Sequence, residues 1–126
     1  MNGAGRPRPQ GGIDLLAWIF MRVSGVVLLF MVLVHLAIMH IINNIEVINY
    51  HFVAVRFATP FWRTYDVVML WLAFIHGLNG VRVMIDDYVG SQGWRVFSLA
   101  SLYVLGFVFL ALGSLVILTF NPAHPF

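Results

Sequence analysis

The residues of this chain that could do chemistry are few, and they stand in or beside stretches apolar enough to sit in lipid. His76 opens the run HGLNGVRVMIDDY, with Gly80 four residues on and Asp86, Asp87 and Tyr88 at its end. On a helix, Asp87 lies three turns beyond His76, so the two share a stripe about 16 Å long, and Gly80 falls on the same stripe. A glycine there lets something bulky approach the backbone. A mid-membrane imidazole can bond a neighbouring helix, relay a proton or ligate haem iron axially. His76 alone does not choose among these. Asp86, Asp87 and Tyr88 are either a solvated helix end with an aromatic anchor, or acids and a phenol that bind and protonate a small oxidised head group.

A second set stands earlier, in MRVSGVVLLF. Ser24 shares a stripe with Leu28, Met31 and His35. Arg22 either snorkels to lipid headgroups or neutralises a buried anion. A charge at mid-bilayer costs at least ~2.5–3.5 kcal/mol on insertion scales, so each charged residue here needs a reason. If the first apolar segment enters from the side to which the second returns, Arg22 and Ser24 should lie at the same face as Asp86, Asp87 and Tyr88. His76 would then lie deeper, in a layered site.

The elements that must position these residues follow from composition. Of 126 residues, 61% are hydrophobic and 10% charged, against roughly 25% charged in soluble domains. Mean hydropathy is +0.92. The chain is read as an integral membrane protein of one all-α domain with three transmembrane helices. A span needs about 20 mostly apolar residues, and the candidates are residues 15–42, 66–86 and 96–120. Between the first two, Pro60 forbids an unbroken helix, and Phe52, Val53, Val55, Phe57 and Phe61 fit a short interfacial helix. The linker YVGSQGW is short and glycine-rich, so spans two and three should form an antiparallel hairpin.

The domain is expected over residues 13–122, after a polar Pro/Gly-rich tail at 1–12 and before a short tail at 123–126. Arg6, Arg8, Arg82 and Arg95 at one face against Arg56 and Arg63 at the other place the N-terminus in the cytoplasm. Trp18, Trp62, Tyr65, Tyr88 and Trp94 fit interfacial belts. A net charge of +2 without any lysine is too small and scattered for nucleic acid. Without cysteine the chain has no disulfide, thiolate metal site or iron–sulfur ligand. Three helices are also too thin to hide much polar function from lipid, so a partner is expected to cover it.

HGLNGVRVMIDDY, preceded by WIFMRVSGVVLLF and TPFW, resembles the D-type hydrophobic anchor of succinate dehydrogenase, the smaller of two cytochrome b membrane anchors of respiratory complex II. It looks closest to the actinobacterial type, over residues 14–122. The resemblance implies a helix bundle shared with a second cytochrome b anchor, of the C type, in the bacterial inner membrane. It implies a flavoprotein with FAD that oxidises succinate to fumarate, an iron–sulfur protein that passes the electrons on, and quinone (menaquinone or ubiquinone) as acceptor. A trimer of whole complexes is one assembly the resemblance allows, and the sequence leaves the number of complexes open.

Residue by residue, His76 looks like an axial ligand of haem b, with the second histidine from the C-type anchor, and Gly80 and Arg22 look like haem neighbours, Arg22 near a propionate. Tyr88 looks like the phenol that bonds a quinone carbonyl, with Asp87 and Ser24 beside it. RVSG is also typical of the C-type anchor, so the D-type reading rests on the His-to-Asp-Tyr spacing. His35 is a second haem ligand, a distal quinone pocket or a packed histidine, with the last two favoured. Arg82 is expected to meet headgroups or another polypeptide of the complex. The competing class is a non-redox assembly or transport protein, with His76, Asp86 and Asp87 as a proton pathway.

Overall fold

The computed structural model describes residues 11–121, all of whose regular structure is helical. The expected end segment 123–126 and all but the last two residues of the expected N-terminal tail, with Arg6 and Arg8, lie outside the described residues. Helix α1 spans Gly12–Leu36. Gly12 starts it at φ +72°, which glycine adopts without a Cβ penalty, and Asp14 places a negative charge in the first turn, where the helix dipole favours it. Over Ala37–Ile42 the helix widens to a π-helical turn, closed by the Asn43 N–H on the Ile38 carbonyl at 3.2 Å. The Asn43 side chain donates to the same carbonyl at 2.8 Å, which ends the helix.

A short 3₁₀ turn, Ile45–Val47, leads to α2, Tyr50–Ala58. The Asn49 side chain caps α2 by accepting from the Phe52 N–H at 3.1 Å. This is the expected short helix between the first two spans. Pro60 then begins α3, Pro60–Tyr88. Thr59 before it is extended (φ −89°, ψ 116°), as a residue preceding proline prefers, and at the first helical position the missing N–H costs nothing. The second span therefore starts at the proline, six residues earlier than expected. Helix α4 runs Gln92–Thr119 after a turn through Val89, Gly90 and Ser91. Gly12–Ile42, Pro60–Tyr88 and Gln92–Thr119 are each long and apolar enough to cross a membrane.

Helix α3 is central and packs on α4, α1 and α2. It forms an antiparallel hairpin with α4, where Gly106 lies against Leu78 and Gly113 against Leu70. The Trp71 indole N–H donates to Ser114 Oγ at 2.9 Å on the same seam. Small residues at the seam let the helices approach closely, which supplies packing where lipid supplies no hydrophobic drive. The burial pattern is that of a bundle with an apolar outside. Among the described residues the buried side chains include Ser24, Arg56 and Asp66, while most large apolar side chains of the spans face outward.

Candidate functional site

Three polar groupings lie along α3. The first is at mid-span, where His76 Nδ1 meets Ser24 Oγ of α1 at 3.0 Å. Ser24 is 2% exposed, and its Oγ also lies 3.4 Å from the Met21 carbonyl. The neighbouring Gly25 leaves room for the ring, since a Cβ there would stand 3.2 Å from His76 Cε1. At Gly77 and Gly80 an added Cβ would meet nothing within 4 Å, so α3 has an open face beside the histidine.

The second grouping lies at the start of α3. Arg56 of α2 donates from Nε and Nη2 to the two carboxylate oxygens of Asp66, at 2.9 and 2.7 Å, and its guanidinium stacks over Trp62 at 4.5 Å. His35 Nδ1 lies 3.9 Å from Asp66 Oδ1 and is buried without a hydrogen-bond partner. His35, Arg56 and Asp66 line an apolar cavity of about 440 Å³ with Val32, Met39 and Met69. His35 thus occupies a pocket wall beside a carboxylate. It stands eleven residues from Ser24, so the two histidines are separated by about 16 Å along α1 and do not share one iron.

The third grouping ends α3. Arg82 Nε donates to Asn79 Oδ1 at 3.1 Å, and its Nη1 lies 3.8 Å from Asp86 Oδ2. Arg82 thus has partners along its own helix while its side chain stays 42% exposed, which leaves it within reach of headgroups or a second polypeptide. Tyr88 is 84% exposed. Arg22 of α1 stacks on Trp18 at 4.5 Å.

The register between α1 and α3 corrects the layered arrangement. Ser24 meets His76, and the Tyr65 hydroxyl donates to the Met31 carbonyl, so the two helices run antiparallel with Arg22 about level with Leu78. Asp87 is about nine residues further on, roughly 14 Å along the axis. Arg22 and Ser24 therefore belong to the histidine layer, and neither joins Asp87 and Tyr88. Ser24, expected at the quinone, is buried about 18 Å of helix away from Tyr88, with its hydroxyl committed to His76. The mismatch arises because α1 begins at Gly12 and carries Arg22 about 15 Å into the bundle.

By sequence alone Asp66 reads as a span boundary, and Arg56 and Arg63 as surface charge. Arg63 in fact donates to the carbonyls of Phe57 at 2.7 Å and Phe120 at 2.9 Å. It ties the end of α2 to the end of α4. The available signal was an acid and an arginine ten residues apart across a proline, a spacing that only a tertiary turn brings together.

Residues 5–120 match the family described as succinate dehydrogenase/fumarate reductase transmembrane subunit. The chain belongs to that family. It is also similar to a curated protein of Mycobacterium tuberculosis (strain ATCC 25618 / H37Rv) named succinate dehydrogenase 2 membrane subunit SdhC. The two are 27% identical over 103 residues, which cover 82% of this chain and 74% of that protein. The chain is thus a multi-pass membrane subunit of an oxidoreductase complex, and its three long apolar helices agree with the three expected spans.

Proposed function

We propose that the chain is one of two membrane anchors of a succinate:quinone oxidoreductase of the bacterial inner membrane, and that it helps to hold haem b and the quinone. The observation that carries this reading is the mid-span setting of His76. Its ring lies against Ser24 and Gly25 of α1, and along the same stretch α3 carries no side chain at Gly77 and Gly80, where nothing stands within 4 Å. Imidazole is a haem-iron donor, and the residues fit the group. His76 would act as one axial ligand. With His35 about 16 Å away, the other axial ligand would come from the companion anchor.

Arg22, in the same layer, would offset a propionate charge. Bound there, haem would supply a one-electron store between the iron–sulfur protein and quinone. At the end of α3, the Tyr88 phenol would donate to a quinone carbonyl and Asp87 would hold or pass a proton nearby. Succinate oxidation itself belongs to the flavoprotein partner with its FAD. The D-type reading rests on the His76–Asp87–Tyr88 spacing, since the mycobacterial relative bears the name SdhC. The N-terminus is placed in the cytoplasm by the arginine bias.

The test is a reduced-minus-oxidised absorption spectrum of the purified complex, with haem quantified, for wild type and His76→Ala. A b-type spectrum that is lost or turns high-spin in the variant supports the reading. A fully assembled wild-type complex without haem would remove His76 as a ligand.

A further inference from the structure

We infer that Ser24 and Gly25 of α1 form a positioning pair for His76, with Ser24 fixing the tautomer of the ring and Gly25 its tilt. The inference rests on the reading of His76 as an axial ligand. With Nε2 given to iron, the ring proton has to sit on Nδ1, and that N–H needs an acceptor because it lies inside the bundle. Ser24 Oγ stands 3.0 Å away in line for it. With Oγ accepting from the ring, the hydroxyl's own proton has the Met21 carbonyl to turn to, a long contact at 3.4 Å, one turn back on α1. The chain of donors therefore runs from ring to hydroxyl to backbone.

At 2% exposure Ser24 is shielded from any competing water. Loss of the hydroxyl therefore strands the Nδ1–H rather than returning it to solvent. Partners of this kind orient a metal-bound imidazole and raise its basicity, and their removal typically costs about 10- to 100-fold in affinity or activity.

Gly25 acts sterically. A Cβ at this position would stand 3.2 Å from Cε1, closer than carbon atoms settle at ordinary contact. The ring edge is therefore seated against bare backbone. Any side chain at position 25 has to push the imidazole by a few tenths of an ångström. Because Ser24 and Gly25 are adjacent, one turn of α1 sets both the proton and the plane of a ligand that belongs to α3.

The test uses the whole purified complex with Ser24→Ala, Ser24→Thr, Gly25→Ala and His76→Ala. Haem content, the haem midpoint potential and the low-spin ferric paramagnetic resonance signal are measured. Ser24→Ala should weaken haem retention about 10- to 100-fold and raise the potential, since an unbonded Nδ1–H makes the imidazole a poorer donor to ferric iron. Ser24→Thr, which keeps the hydroxyl, should restore both. Gly25→Ala should move the resonance signal through ring tilt, and it carries the test should Ser24→Ala not assemble. Unchanged retention, potential and signal in Ser24→Ala and Gly25→Ala, while His76→Ala loses its ligand signature, would overturn the inference and leave the ligand reading standing. A haem spectrum intact in His76→Ala would overturn both. Failure of threonine to restore what alanine removes would reduce Ser24 to a packing residue and overturn its assignment.

Discussion

Replacing Asp66 with asparagine should release α2 from the bundle. The Arg56–Asp66 pair is bidentate, at 2.7 and 2.9 Å, and Arg56 is 6% exposed. Asparagine keeps the shape but leaves a buried guanidinium without its counter-charge. Breaking one side of a buried pair costs about 3–5 kcal/mol. At about 1.4 kcal/mol per tenfold this shifts the docked-to-undocked ratio of α2 by more than about 100-fold. The assay is amide hydrogen exchange over Tyr50–Ala58 in the detergent-solubilised complex, where lost docking appears as faster exchange confined to α2. The double variant Arg56→Met/Asp66→Leu should recover most of the protection, since well-packed apolar residues can replace a buried pair at little cost. Unchanged exchange in Asp66→Asn, or a double variant as unprotected as the single one, would refute the claim that this pair holds α2.

Tyr88→Phe should cut quinone reductase activity while leaving succinate oxidation with an artificial acceptor intact; equal loss of both would count against a quinone role. Arg22→Leu should loosen haem or shift its potential, and an unchanged spectrum and potential would leave Arg22 as a side chain stacked on Trp18. Gly106→Ala places a Cβ 2.5 Å from Leu78 Cδ2, an overpacking that should cost about 1–3 kcal/mol and lower the thermal stability of the complex. An unaltered melting temperature would mean that the α3–α4 seam is looser than the distance implies.

The three spans, the break at Pro60 and the hairpin of α3 with α4 were legible because length, apolar runs and a proline act locally. The stripe from Ser24 to His35 was legible for the same reason, being one helix read at its own period. What sequence could not supply was the register between helices. Placing Arg22 beside Asp87 assumes that two helices entering the same face begin level. The pairing of Ser24 with His76 reveals an offset that depends on side-chain contacts far apart in the chain. The same limit hid the Arg56–Asp66 pair. Arg56 reads as interfacial charge until α2 folds back across Pro60 and buries it against α3. Aromatic belts predict where Trp62 and Tyr65 sit in depth. They do not predict that Trp62 backs a guanidinium or that Tyr65 reaches a carbonyl of α1.

This division of polar groups argues that the chain does not complete a redox site alone. Histidine, the obvious haem donor, occurs twice on the polar seam of α1 and α3, yet His35 and His76 lie at different depths and face different surroundings. One is gripped by a hydroxyl, the other left against a carboxylate with Nδ1 unbonded. His35 and His76 therefore cannot serve one metal together, and a haem held by His76 would take its second donor from elsewhere. Tyr88, at 84% exposure, ends α3 at interfacial depth, where a phenol can bond headgroups as well as a partner, and Gly77 and Gly80 leave α3 without side chains along one stretch. A second helix bundle laid against that face would supply the missing ligand and cover the phenol together. That double role is what the proposed function assigns to the companion anchor.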